Sequence, residues 1–255
     1  MPFTFGNAFN RFFSVLGRNF APFALIGLIC TVLPAMGLIY VEFTYLGMTS
    51  GATAWMQNLP HAGPQTWAYV GLGWLVVTLF SMMALSAITE VVILRSVDKP
   101  VNYSALIGHA LMNAIPLLIV EILVGLLVGI GFVLLFVPGV IWALCICVAI
   151  PAYVGQTNLG IFGAIGKSFQ LTRNHRWSLL LLFIVMGLAT SIVSATLSAT
   201  LVGLPGGMVG LPSLLARGFV TGLTSLFSQI LTASIYVSLR ESKEKTTPDT
   251  AASVF

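Results

Sequence analysis

Six apolar segments dominate this chain, near 21–42, 68–94, 114–136, 140–155, 178–202 and 218–239. A helix crosses the hydrocarbon layer of a bilayer with about 20 apolar residues. A chain in lipid must also satisfy its backbone hydrogen bonds internally. The segments therefore predict an all-α membrane protein with six transmembrane helices. The fourth is short, about 16 residues or roughly 24 Å at helical rise. It carries Pro151 near its end, which predicts a kink or a seat in locally thin membrane, with a re-entrant segment as the alternative. Val137-Pro138-Gly139 separates it from the third segment. That triplet reads as a tight hairpin, because Pro cannot continue a helix and Gly tolerates left-handed geometry. Residues 203–217, rich in Gly and Pro, read as an external loop.

Charge orients the spans. Only 7% of the residues are charged and 58% are hydrophobic, against about 25% charged in a soluble domain. A soluble surface and a disordered chain are both excluded. If six helices alternate, Arg11, Arg18, Arg95, Lys99, Lys167, Arg173, Arg176, Arg240, Lys243 and Lys245 fall on one side, and only Arg217 on the other. Basic residues accumulate on the cytoplasmic side, so both termini are expected there. Dropping the fourth span would move Lys167, Arg173 and Arg176 outside, so the same distribution supports six. Tyr40, Tyr45, Trp67, Tyr69 and Trp142 then mark outer ends, and Tyr103, Tyr153, Trp177 and Tyr236 inner ends. Trp74 lies inside span two, where packing is the expected role.

The first twenty residues do not read as a cleavable signal peptide, because the apolar run begins only after Phe20. At 100° per residue, Phe5, Phe9, Phe12, Phe13, Leu16 and Phe20 share one arc. Asn7, Asn10, Arg11, Ser14 and Arg18 oppose them. This predicts an amphipathic helix near 5–19 in the inner interface, anchored by Phe5, Phe9, Phe12, Phe13, Arg11 and Arg18. The alternative is a helix packed on protein. Phe9, Phe12, Phe13, Asn19 and Pro22 align with Tyr103, Leu106, Ile107, Asn113 and Pro116. Phe5, Gly6, Phe12 and Phe20 align with Phe162, Gly163, Phe169 and Trp177. Interfacial helices are therefore expected near 5–19, 103–112 and 162–175, each leading a helical hairpin, in three repeats. Residues 1–240 form one domain on this reading, and the polar tail 241–255 is expected to be disordered.

The stretch from Val137 to Trp177 carries a likeness. It runs through Val137-Pro138-Gly139, Pro151, then Gly163-Ala164-Ile165-Gly166-Lys167-Ser168-Phe169-Gln170-Leu171-Thr172-Arg173, and Arg176-Trp177. It resembles the bacterial family named for the membrane domain of glycerophosphoryl diester phosphodiesterase, with its YciC-like relatives. The opening Phe-Gly-Asn-Ala-Phe is similar too. The resemblance implies a bacterial cytoplasmic (inner) membrane protein of this architecture. Many relatives place a Glu after the Pro that ends the fourth span. Here Val154-Gly155-Gln156-Thr157-Asn158 has none. The family name comes from chains joined to a soluble hydrolase, whose His and carboxylate set is not matched by the scattered His61, His109 and His175.

No catalytic motif emerges. Phosphate-loop, nucleophile-elbow and His-Glu-x-x-His patterns are missing. Cys30, Cys145 and Cys147 lie in apolar runs and read as small buried hydrophobes. No cofactor, metal or nucleic acid is expected. The expected partners are the phospholipid bilayer and its anionic headgroups on the cytoplasmic face, with a membrane-protein partner or a homo-oligomer left open. Glu90 and Glu121 are acids at membrane depth, and such groups usually face a bundle interior or a wet cavity. With Arg95, Lys167, Arg173 and Arg176 they form the candidate polar or headgroup site. A structural pair with Arg95 or with a neighbouring backbone, or simple snorkelling of Glu90, is the alternative. Thr190, Ser194 and Ser198, together with Gly125, Gly129, Gly218 and Gly222, read as close helix packing, or more sharply as a permeation lining. The leading functional reading is a non-enzymatic protein that handles lipid, organises membrane or assists a partner. The alternatives are a small-solute transporter or channel using Glu90 and Glu121, and an intramembrane enzyme.

Overall fold

The computed structural model describes residues 5–46, 63–96, 99–156, 159–202 and 211–244. Much of the external loop expected near 43–66, the segment 203–210 and the tail from 245 lie outside them. The described residues form helices and no strand. In chain order these are α1 (Phe5–Arg18), α2 (Phe20–Gly27), a π-helical turn (Leu28–Val32), α3 (Leu33–Leu46), α4 (Pro64–Arg95), α5 (Tyr103–Leu134), α6 (Phe136–Ile146), α7 (Ala149–Gly155), α8 (Ile161–Thr172), α9 (Arg176–Val202) and α10 (Leu211–Glu244). Six segments are long and apolar enough to cross a bilayer: Phe20–Glu42, Pro64–Arg95, Tyr103–Leu134, Phe136–Gly155, Arg176–Leu197 and Pro212–Lys243. This chain is a multi-pass helical protein of membrane type.

Two spans are broken, each beside a proline. Pro34 has no N–H for the Cys30 carbonyl, and its ring crowds that oxygen. The backbone widens ahead of it, so that Leu33 N–H donates to Leu28 O, five residues back. In the fourth span, Pro151 leaves the Cys147 carbonyl without its helical donor. The helix breaks at Cys147-Val148, between α6 and α7. The Cys145 carbonyl then accepts from Ser168 Oγ at 2.8 Å and from Thr172 Oγ1 at 3.2 Å. The Ser and Thr of the 163–173 motif thus hold α8 against the broken span.

Several boundaries differ from the sequence expectation. The hairpin between spans three and four turns at Leu135, whose backbone is extended (φ −167°, ψ 152°). Pro138 and Gly139 belong to the first turn of α6, where Pro is tolerated because the N–H is unused anyway. Gly139 is there for close packing rather than for left-handed geometry. A Cβ on it would meet the Phe132 ring at 2.6 Å, and one on Gly131 would meet Gly139 Cα at 2.9 Å. Residues 103–112 are no separate helix. They are the first turns of the continuous α5, started by Asn102, whose side chain accepts from Ser104 N–H. The three expected repeats therefore do not share one form at their leading helix. Residues 211–217 are helical, with Pro212 in the first turn of α10, and that helix runs to Glu244 rather than stopping near 240. Asn174 alone among the described non-glycine residues has positive φ (75°), in the corner between α8 and α9, and Asn is one of the few side chains that tolerate it.

Packing is concentrated at the end that carries the basic residues. Met82 and Ala84–Leu94 of α4 and Ile230, Leu231, Ala233, Ile235, Tyr236 and Leu239 of α10 are buried, with Leu106 and Ala110 of α5 and Leu171 of α8. Tyr236 is fully buried and so is no interface anchor. Trp74 is exposed rather than packed, although its indole donates to Glu42 across α3 and α4. The C-terminal half of α9 is largely exposed among the described residues. Thr190 is part-exposed and Ser194 exposed there, so among the described residues the stripe is not buried against another helix, while the side chain of Ser198 lies outside the described set. Gly218 and Gly222 of α10 do pack, against Met36 and Val32.

Candidate functional site

α1 lies across the basic end of the bundle. It buries Ala8 and Phe12, half-buries Val15, and ends at Asn19, which is only 6% exposed. Phe12 sits edge-on to Phe227 of α10 at 6.4 Å. The phenylalanine arc is therefore split: Phe12 is buried and Phe9 part-buried, while Phe13 and Phe20 stay exposed. The side chain of Phe5 lies outside the described set. Arg11 makes a two-pronged pair with Glu241 of α10, with both N–O distances 2.6 Å, and also donates to Ser238 Oγ at 3.3 Å. Such fork-to-carboxylate pairs are the stronger kind. Glu241, the first residue of the tail expected to be disordered, is instead helical and is the latch that ties α1 to the last helix.

Between α1 and the end of α4 is a cavity of about 500 Å³, lined by Asn10, Arg11, Ser14, Val15, Arg18, Asn19, Arg95 and Ser96. Arg95 stands in the last turn of α4, where a cation suits the helix dipole. Ser96 closes that helix by donating Oγ–H to Ile93 O at 2.6 Å. Arg95 Nε is buried and has no hydrogen-bond partner among the described residues. Three guanidinium-bearing side chains thus share one polar recess, and one keeps an unused buried donor. That arrangement suits a phosphate, whose oxygens accept from planar forks.

The other predicted site residues are placed elsewhere. Glu90 is buried, and its carboxylate lies 3.1–3.2 Å from His109 Nδ1 on α5. Its partner is His109, not Arg95. Glu121 is twelve residues beyond His109 on the same helix, about 18 Å away along the axis, so the two acids do not form one site. Lys167, Arg173 and Arg176 belong to α8, its following corner and the start of α9, and none lines the arginine cavity. The end of α8 is also tied to α10, where Lys243 Nζ donates to Gln170 O at 2.8 Å, while buried Arg240 of α10 donates to Gly155 O at the end of α7 at 3.1 Å. Arg240, Glu241 and His109 were missed because each finds its partner in a distant segment. Among the described residues no three His, Cys, Asp or Glu side chains converge to hold a metal.

His175, in the same corner, is held below its ordinary 6.5 by burial first and then by the Lys243 ammonium. The folded chain therefore resists protonation there more than the unfolded chain does. Stability is complete above 6.5 and declines as pH falls from there through the lower folded value. Melting temperature in detergent is expected to drop between pH 7.5 and 5, and to drop less in His175→Gln. Equal pH dependence in both proteins would show that the imidazole is not responsible.

No family model, curated protein or solved structure matches this chain.

Proposed function

We propose that this is a non-enzymatic, multi-pass protein of the bacterial inner membrane, with cytoplasmic termini, that handles or organises lipid by engaging anionic headgroups. The observation that carries this reading is the arginine-lined cavity at the basic end of the bundle. Exposed Phe13 and Phe20 flank it on the same polypeptide stretch. Phe side chains beside basic ones are what an interfacial helix uses to enter the headgroup boundary. The likeness of residues 137–177 to the bacterial membrane-domain family points the same way.

The test is lipid binding by the full chain in mild detergent. Phosphatidylglycerol is expected to bind more tightly than phosphatidylcholine, and more weakly as salt rises. Arg18→Gln should weaken the phosphatidylglycerol complex about tenfold, or about 1.4 kcal/mol. No preference for the anionic lipid, or no effect of Arg18→Gln, would refute this assignment. The Glu90–His109 pair favours a second reading, a small-solute transporter coupled to protons. Its test is proton-linked uptake by proteoliposomes, abolished in Glu90→Gln.

A further inference from the structure

A second recess opens between α6 and α9. Its volume is about 670 Å³, and Phe136, Val137, Ile141, Trp177, Leu180 and Ile184 line most of it. Among the described residues that line it, the single charged one is Arg176. That guanidinium lies beside the Cys145 thiol, a weak acceptor, and its Nε is buried with no hydrogen-bond partner among the described residues. A buried charged donor left without an acceptor is costly, so this end of the groove calls for an anion. The opposite end is wholly apolar.

The dimensions narrow the class of occupant. From Arg176 to Ile184 is eight residues of α9, about 12 Å at helical rise. From the neighbourhood of Cys145 back to Phe136 along α6 is a similar length. One leaflet of a ~30 Å hydrocarbon core is about 15 Å deep. The groove is thus about one leaflet long, with a cation at one end. A second copy of the chain would have to bring an acid to Arg176. Of the four acids with described side chains, Glu42 accepts from Trp74, Glu90 pairs with His109 and Glu241 pairs with Arg11. The fourth, Glu121, is part-buried in the middle of α5.

We infer that the α6–α9 groove holds one anionic phospholipid, with its phosphate on Arg176 and an acyl chain along Ile141, Leu180 and Ile184. This rests on the proposed lipid-handling role, and it adds a retained lipid distinct from headgroups gathered in the α1–α4 cavity. The phosphate completes the Arg176 donors, and the chain covers a face that the protein leaves open.

The experiment is native mass spectrometry of the delipidated full chain after addition of phosphatidylglycerol or phosphatidylcholine. Wild type should retain one phosphatidylglycerol per chain in preference to phosphatidylcholine. Ile141→Trp, which fills the groove from a part-exposed position without changing charge, should reduce that retention about tenfold. Arg176→Gln should do the same, and Arg176→Lys should restore part of it. A single elution peak and an unchanged melting temperature certify each fold. Wild-type retention in both Ile141→Trp and Arg176→Gln would overturn the groove assignment. So would a dimer that those two variants dissolve, which gives the face to a second copy. If Arg18→Gln removes the retained lipid and the groove variants do not, the headgroup reading survives and the groove assignment falls. Equal retention of both lipids by wild type would overturn the two together.

Discussion

Gly222→Leu is expected to leave a chain that still enters membranes but no longer packs its last helix against its first hairpin. A Cβ at Gly222 would overlap the Val32 Cα and stand 2.8 Å from Val32 N, while one at Gly218 would stand 2.7 Å from the Met36 Cα. These are backbone atoms, so no rotamer change relieves the clash. Val32 closes the π-helical turn ahead of Pro34, and its backbone cannot retreat without undoing that turn. Gly222→Ala alone should cost about 1–3 kcal/mol, the usual penalty for overpacking. Gly222→Leu should lower the melting temperature further and broaden the elution profile in detergent.

The controls lie on another helix. Gly125 and Gly129 of α5 repeat the same four-residue spacing, yet nothing stands within 4 Å of a Cβ at either. Gly125→Ala and Gly129→Ala should therefore be neutral, or stabilising by up to about 1 kcal/mol, because Ala restricts the unfolded chain more than Gly. If all four positions tolerate alanine equally, the α3–α10 contact is not what holds the bundle.

That contrast shows what one sequence could and could not reveal. Small residues four apart are the same signal at 125/129, 190/194 and 218/222, but among the described residues only the last pair is packed closely against another helix. The six spans were legible because lipid demands long apolar runs, and that demand is written in every residue of a span. Helix ends were not, because hydropathy marks where the bilayer stops while backbone hydrogen bonding continues past it, as in residues 103–112, 211–217 and 241–244. Pro151 announced the break in the fourth span, but the Ser168 and Thr172 hydroxyls that satisfy its Cys145 carbonyl lie more than twenty residues away. Arg11, Arg18 and Arg95 stood out singly as rare charges. Their meeting around one cavity depends on α1 folding over the end of α4, which no local pattern encodes.

Removing His109 should harm the protein more than removing it together with Glu90. The Glu90 side chain is 4% exposed and that of His109 is 40%. His109→Leu strands a carboxylate among apolar neighbours, where a buried charge without its partner is strongly unfavourable. A loss of about 2–3 kcal/mol is expected, at the lower end for such pairs because the imidazole is part-exposed and its interaction with the carboxylate is screened by solvent. Glu90→Gln keeps a hydrogen-bonding group beside the imidazole and should cost less, about 1 kcal/mol. The double variant Glu90→Leu with His109→Leu removes both polar groups at once. Paired replacements of this kind are often neutral or stabilising, so its melting temperature should return to near that of the native chain. The same three proteins separate stability from transport. If the double variant regains the fold and proteoliposomes of the native chain show no proton-linked uptake that it lacks, the pair serves only to join α4 and α5. If uptake is present and the stable double variant abolishes it, the transporter reading displaces the lipid one. The part-exposed imidazole is the feature that makes this outcome informative, because it offers a route from solvent to a carboxylate that is otherwise closed off.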